Sequence, residues 1–171
     1  MLLGRQTRMR LDAEVLRDVS LAACGLLNPQ MGGPPVFPPI PEGVMTLGQV
    51  RHQWNTTTGA NRYRRALYTF LFRATPAPWL NVFDAPDGVQ TCTRRIRSNT
   101  PLQALTLLND AGFFEFSKAL SELIEEHGLV VAFRRCTSRY PTKIELAILE
   151  KLDSLSAARV LLNLDETITR E

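Results

Sequence analysis

Six of the chain's eleven prolines fall within residues 28–48: Pro29, Pro34, Pro35, Pro38, Pro39 and Pro41, accompanied by Gly32, Gly33, Gly43 and Gly48. Proline fixes φ, lacks a backbone donor and pushes the residue before it toward extended geometry. Neither a helix nor a central strand is therefore expected over 28–48, and regular structure must lie on either side. The same stretch carries Met31, Val36, Phe37, Ile40, Val44 and Met45, which is too apolar for a solvated linker. It reads as an ordered loop that wraps the domain, and its apolar side chains over 31–45 are expected to form an exposed docking surface. Long loops in compact domains are often functional.

On the N-terminal side, residues 11–27 read as a helix capped by Asp12, with Leu11, Val15, Val19, Ala22 and Leu26 at helical spacing and Arg10 and Arg17 off that stripe. Residues 62–74 fit either a strand or a helix. Their aromatic content favours an extended segment with Ala66, Tyr68, Phe70 and Phe72 on one face. Thr100-Pro101-Leu102-Gln103 opens a helix with a capping box and a proline at its first position. Asn109 to Gly112 should break or bend it. A second helix runs over about 113–126 with Phe113, Phe116, Leu120 and Leu123 inward, and Gly128 stops it. A short helix over 129–139 should bury Val130, Val131 and Phe133. Thr142 and Glu145 form a second capping box ahead of a helix whose core residues are Ile144, Leu146, Ile148, Leu149 and Leu152. The last helix is expected over about 154–169. The fold class is thus mainly α: an irregular, proline-rich N-terminal half with room for short strands, and a small helical bundle over 100–171. Residues 1–171 form a single domain on this reading.

The chain has 171 residues, 44% of them hydrophobic, enough to bury a core without metals or disulfides. Its longest apolar runs are far too short to cross a bilayer, so no membrane partner is expected. The net charge of +3 is unevenly placed. Residues 1–100 hold 12 basic against 6 acidic residues, whereas 101–171 hold 8 against 11. Arginines outnumber lysines 17 to 3. Arginine suits fixed ion pairs or recognition of an anion. A nucleic-acid tail would be a denser run, so no nucleic-acid partner is expected. Cys24, Cys92 and Cys136 and the two histidines, His52 and His127, lack the spacing of zinc or haem sites, so neither a metal site nor a cofactor is expected within this chain. The N-terminus lacks an apolar run of signal-peptide length, consistent with a cytoplasmic chain or with a piece of a longer exported one.

The strongest functional segment is Phe83–Asn99. It sets Asp84 and Asp87 before Arg94 and Arg95, between a Pro-Asp-Gly turn and the capped helix. Two readings stand. The carboxylates either do acid–base work while the arginines hold an anionic or hydroxyl-rich substrate, or they cap turns while the arginines form internal ion pairs. Trp54 and Trp79 either stack on a sugar ring or fill the core. Cys92, just before two arginines, is either a reactive thiol or, as preferred, a buried structural one. Asp84, Asp87, Arg94, Arg95 and Trp54 are the ligand-binding candidates, and no catalytic residue is assigned.

Several segments together carry a family resemblance: R-M-R-L-D-A-E-V-L-R-D, M-G-G-P-P-V-F-P-P, Y-R-R-A-L-Y-T-F, V-F-D-A-P-D-G-V-Q-T-C-T-R-R, N-T-P-L-Q-A-L-T-L-L-N-D and the closing A-R-V-L-L-N-L-D-E-T-I-T-R-E. In this order they resemble the C-terminal domain of the planctomycete cytochrome-c-associated proteins, domain of unknown function 1553. The resemblance implies a longer parent with a signal peptide and haem c in its upstream domains. It implies an extracytoplasmic (periplasmic or secreted) setting, and those upstream domains are this chain's expected partners; a polysaccharide is the further ligand that the Phe83–Asn99 segment would take if it contributes to an enzyme or binding site. By the same resemblance the chain looks like a C-terminal fragment or a truncated reading frame, with Met1 an internal methionine. The family supplies no established activity and hence no catalytic residue to carry over.

Overall fold

A computed structural model describes residues 8–46 and 53–170. Residues 1–7, and the stretch 47–52 that ends the proline-rich loop and includes Gly48 and His52, lie outside the described residues. Among the described residues the fold is mainly α. The helices are α1 (Ala13–Ala23), α2 (Pro78–Val82), α3 (Pro101–Asn109), α4 (Ala111–His127), α5 (Leu129–Thr137), α6 (Lys143–Leu149), α7 (Ser154–Leu162) and α8 (Asp165–Ile168). Two short strands, β1 (Met9–Arg10) and β2 (Thr169–Arg170), pair antiparallel, with Met9 opposite Arg170 and Arg10 opposite Thr169. They fasten the start of the described chain to its end, and the Leu11 N–H extends the join by donating to Ile168 O at 2.8 Å.

Local chemistry sets most boundaries. In the first capping box Gln103 Oε1 accepts from the Thr100 N–H at 3.3 Å. Asp110 closes α3 and opens α4, accepting from the N–H groups of Gly112 and Phe113. Between them, two helices turn on one residue whose side chain satisfies N–H groups that the new helix leaves open. Gly128, at φ 86°, stops α4 and starts α5, a conformation that favours glycine. The second box forms as the spacing predicts, with Thr142 N–H donating to Glu145 Oε2 at 2.7 Å and Glu145 N–H returning to Thr142 Oγ1 at 3.3 Å.

α4 is the hub, packed on α7, α5, α3 and α1. The core around it comprises Leu16 and Leu21 of α1, Phe83, Leu107, Phe113, Phe116, Leu120, Phe133, Leu161 and Leu162, all buried. Burying each such side chain contributes about 1.5–3 kcal/mol.

Five expectations need correction. The buried face of α1 is Ala13, Leu16, Arg17, Ser20, Leu21 and Ala23, not the stripe through Val15 and Ala22, which are exposed. Arg17 sits in the core because backbone and aromatic partners receive it there. Val131 is exposed, and α5 buries Ala132, Phe133 and Cys136 instead. α6 buries only Leu149, leaving Ile144 at 74% and Ile148 at 56% exposure, because it packs mainly against α5 at the periphery. The last helix breaks at Asn163–Leu164, where the buried Thr167 hydroxyl donates to Leu161 O at 2.8 Å and satisfies the end of α7. Residues 62–74 form two 3₁₀ turns, Gly59–Tyr63 and Ala66–Tyr68, not a strand. The alternation survives nonetheless: Ala66 is buried while Leu67 and Leu71 are exposed.

The proline-rich loop is ordered and holds no α-helix over its described part, but it is not an exposed apolar surface. Val36, Pro38 and Met45 are buried and Met31 alone among the six apolar residues is mostly exposed. Val36 bonds the 66–70 segment at both ends, its N–H to Tyr68 O at 2.8 Å and its carbonyl from the Phe70 N–H at 2.9 Å.

Candidate functional site

The Phe83–Asn99 segment folds into a polar clasp. Asp84 follows the short helix α2 in the left-handed region, φ 58°, which aspartate tolerates better than most residues. Its Oδ2 accepts from Arg10 Nη2 at 2.6 Å and from the Ser98 N–H at 2.8 Å, and the Ser98 hydroxyl donates to the same carboxylate. Arg10, reaching in from β1, also donates to Phe83 O, Ser98 O and Leu11 O. Gln103 of α3 completes the network, donating from Nε2 to Val82 O at 3.0 Å and to Ser98 Oγ at 2.9 Å. Burial pushes the Asp84 carboxyl up, but the bonds from Ser98 and Arg10 outweigh it and hold the group below its ordinary range. Four segments are thereby joined: β1, from far off in sequence, and the end of α2, the stretch before α3, and α3 itself.

The other candidates are dispersed. Asp87 Oδ1 accepts from the N–H groups of Val89 and Gln90, shaping the turn at Gly88. Arg95 forms a two-pronged pair with Glu14, at 2.6 and 3.0 Å, and lies 3.8 Å from Asp12. Arg97 reaches Asp12 at 3.2 Å. Asp12, the residue before α1, thus serves these arginines and makes no side-chain cap bond. Arg94 makes no hydrogen bond or ion pair among the described residues and is exposed. It lines an open groove of about 830 Å³ together with Arg8, Arg10, Arg95 and Arg97. Asp84 therefore meets Arg10, whereas Arg95 meets Glu14, and the four predicted residues do not converge on one reacting centre. Trp54 donates from Nε1 to Pro38 O at 2.6 Å and meets Phe37 edge-on at 5.1 Å, pinning the proline-rich loop. Trp79 is buried. Cys92 is exposed, not buried as preferred from the sequence. Cys24 and Cys136 are buried thiols, pushed up by burial to about 11 and about 12.

Sequence reasoning missed three buried arginines. Arg10 lies off the helix stripe that the sequence pattern picks out. Arg17 donates to Arg62 O at 3.0 Å and lies over the Phe116 ring at 5.3 Å. Burial lowers its pKa to about 10, and the neighbouring Asp110 is raised, again chiefly by burial. Arg64, at 2% exposure, donates to Pro34 O at 2.9 Å, to Gln30 O at 3.3 Å and to Gly32 O, with its guanidinium 3.8 Å from the Tyr68 ring centre. It holds the proline-rich loop from inside. The available signal was compositional: an arginine-rich, lysine-poor half beside a loop whose prolines leave many carbonyls without helix or sheet partners.

Among the described residues no group of three or more His, Cys, Asp or Glu side chains is placed to hold a metal ion, and no helix is long and apolar enough to cross a membrane. A family model, PSD1, described as a protein of unknown function (DUF1553), matches residues 1–152. The match spans β1 through α6, and the closing A-R-V-L-L-N-L-D-E-T-I-T-R-E segment lies beyond it. No curated protein and no solved structure matches the chain.

Proposed function

The chain belongs to the DUF1553 family, and on that premise we propose that it is a non-catalytic structural and interaction module of a larger, extracytoplasmic, cytochrome-c-associated protein. One observation carries the reading. The segment richest in chemistry-bearing side chains is committed to joining the domain's own elements: Asp84 to Arg10 and Ser98, Asp87 to its turn, and Arg95 to α1. An acid–base pair would need a carboxylate free to exchange protons near the working pH, whereas Asp84 is held ionised by its partners. The haem, on this reading, resides in the preceding domains, and those domains are the module's partners.

The test is a calorimetric titration of the chain with the separately purified preceding domains of a longer, haem-bearing family member. Saturable association is the expected outcome, together with lower thermal stability of that longer protein when its own copy of this module is deleted. Turnover of a polysaccharide by the chain, lost in an Asp84→Asn variant of undiminished stability, would replace this reading with an enzymatic one.

A further inference from the structure

After a bend at residues 93–94, residues 95–99 run without turn or bend along the wall of the arginine-lined groove. The side chains alternate as they do along a strand. Arg95 and Arg97 turn toward Glu14 and Asp12 at the start of α1. Arg94 and Ile96 face outward, Arg94 with no partner among the described residues and Ile96 at 77% exposure. The backbone N–H and C=O groups of residues 94–97 make no hydrogen bond among the described residues. The segment belongs to no sheet among the described residues, and its free main-chain groups are open to pairing with an added strand.

Four of the five arginines lining the groove are paired with carboxylates: Arg8 with Asp165 at 3.1 Å, Arg10 with Asp84, Arg95 with Glu14 and Arg97 with Asp12. Arg94 is the lining arginine with no such partner among the described residues, and it leaves this edge one unneutralised positive charge. The lining contains no aromatic side chain, which a sugar ring would favour for stacking. It does offer an apolar side chain, Ile96, two positions from an unpaired arginine.

We propose that residues 94–97 are a docking edge for an extended acidic peptide segment, which adds as a strand and sets a carboxylate opposite Arg94 and an apolar side chain opposite Ile96. This rests on the interaction-module reading and names the chemistry of its partner. Main-chain bonds supply the register, and opposite charges across the new pair select acidic sequences.

The test is fluorescence anisotropy of the intact chain with a fluorescein-labelled octapeptide of alternating Glu and Val. Three further probes accompany it: the Gln-for-Glu peptide, an N-methylated acidic peptide that cannot complete the ladder, and a galacturonate octamer. The acidic peptide is expected to bind saturably and to weaken with salt. The Gln and N-methyl peptides should bind far more weakly, as should the acidic peptide to an Arg94→Glu variant, by about tenfold or more. Arg94→Glu removes no hydrogen bond or ion pair among the described residues, so its melting temperature should match the parent. Absence of saturation, unchanged binding by Arg94→Glu, unchanged binding of the N-methyl peptide, or preference for the galacturonate octamer would overturn the proposal. The same variant is then titrated with the preceding domains of the longer family member. Retained association there, with no peptide binding, removes this edge alone; loss of association by the parent chain removes the module reading as well.

Discussion

Arg64→Lys is the sharpest perturbation of the N-terminal half. Arg64 is buried, has no carboxylate partner among the described residues, and is received by three loop carbonyls and the face of Tyr68. Lysine keeps the charge but presents a single ammonium, which cannot span the separate carbonyls of Gln30, Gly32 and Pro34 as a guanidinium fork does. Losing one or two bonds from a charged donor, at about 1.5–3 kcal/mol each, together with part of the contact over Tyr68, gives a cost of about 3 kcal/mol. For a chain of this length that is a drop of about 6–12 °C in melting temperature. The damage should be local as well as global, because the bonds lost are those that hold residues 30–34. Calorimetry and urea unfolding give the stability, and limited proteolysis followed by mass spectrometry gives the site of cleavage. Faster cutting within the proline-rich loop is expected. A Lys variant within about 0.5 kcal/mol of the parent, with unchanged cleavage, would refute the claim that Arg64 organises the loop.

Acid sensitivity should come partly from Glu145, which Arg139 and the Thr142 cap hold down at about 2. Its stabilisation is present above its unfolded value of about 4.3 and fades as pH falls through 2, so Glu145→Gln should flatten that limb of the acid-unfolding curve. Asp110 has the opposite sign. Its folded pKa is raised by burial, so its contribution improves as pH falls from above the folded value toward the unfolded one. Asp110→Asn keeps a capping oxygen and should remove that rise, as read by urea midpoints between pH 4 and 7. A maleimide should label Cys92 at once in the native chain and Cys24 and Cys136 only on unfolding, by mass spectrometry, since the latter pair are buried with raised pKa values. Leu120→Ala, at the centre of the hub helix, should cost about 2–5 kcal/mol in urea unfolding.

The legible parts of the fold were those decided within four or five residues. Both capping boxes, the Asp110 break and the Gly128 stop depend on a side chain and the backbone beside it, and each was placed within a residue or two. The inward face of α1 was misread because Arg17 is buried by acceptors supplied from residue 62 and from α4, which no local pattern reveals. α6 misled in the opposite way. Its apolar residues are numerous enough for a core helix, yet its peripheral position leaves Ile144 and Ile148 in solvent. At the candidate site, the proximity of Asp84 to Arg94 and Arg95 in sequence suggested partners, whereas the carboxylate's actual partner lies 74 positions away.

The Asp84 segment is an architectural clasp, and a double-mutant cycle between Arg10 and Asp84 measures it. Asp84→Asn leaves the buried Arg10 without its carboxylate. Arg10→Met leaves Asp84 with Ser98 alone, and the double variant removes both charges. Urea unfolding should show each single change costing about 2–4 kcal/mol, softened by the three carbonyls that still receive Arg10, with a coupling of about 1.5–3 kcal/mol. Additive effects within about 0.5 kcal/mol, or an Asp84→Asn chain as stable as the parent, would contradict the claim.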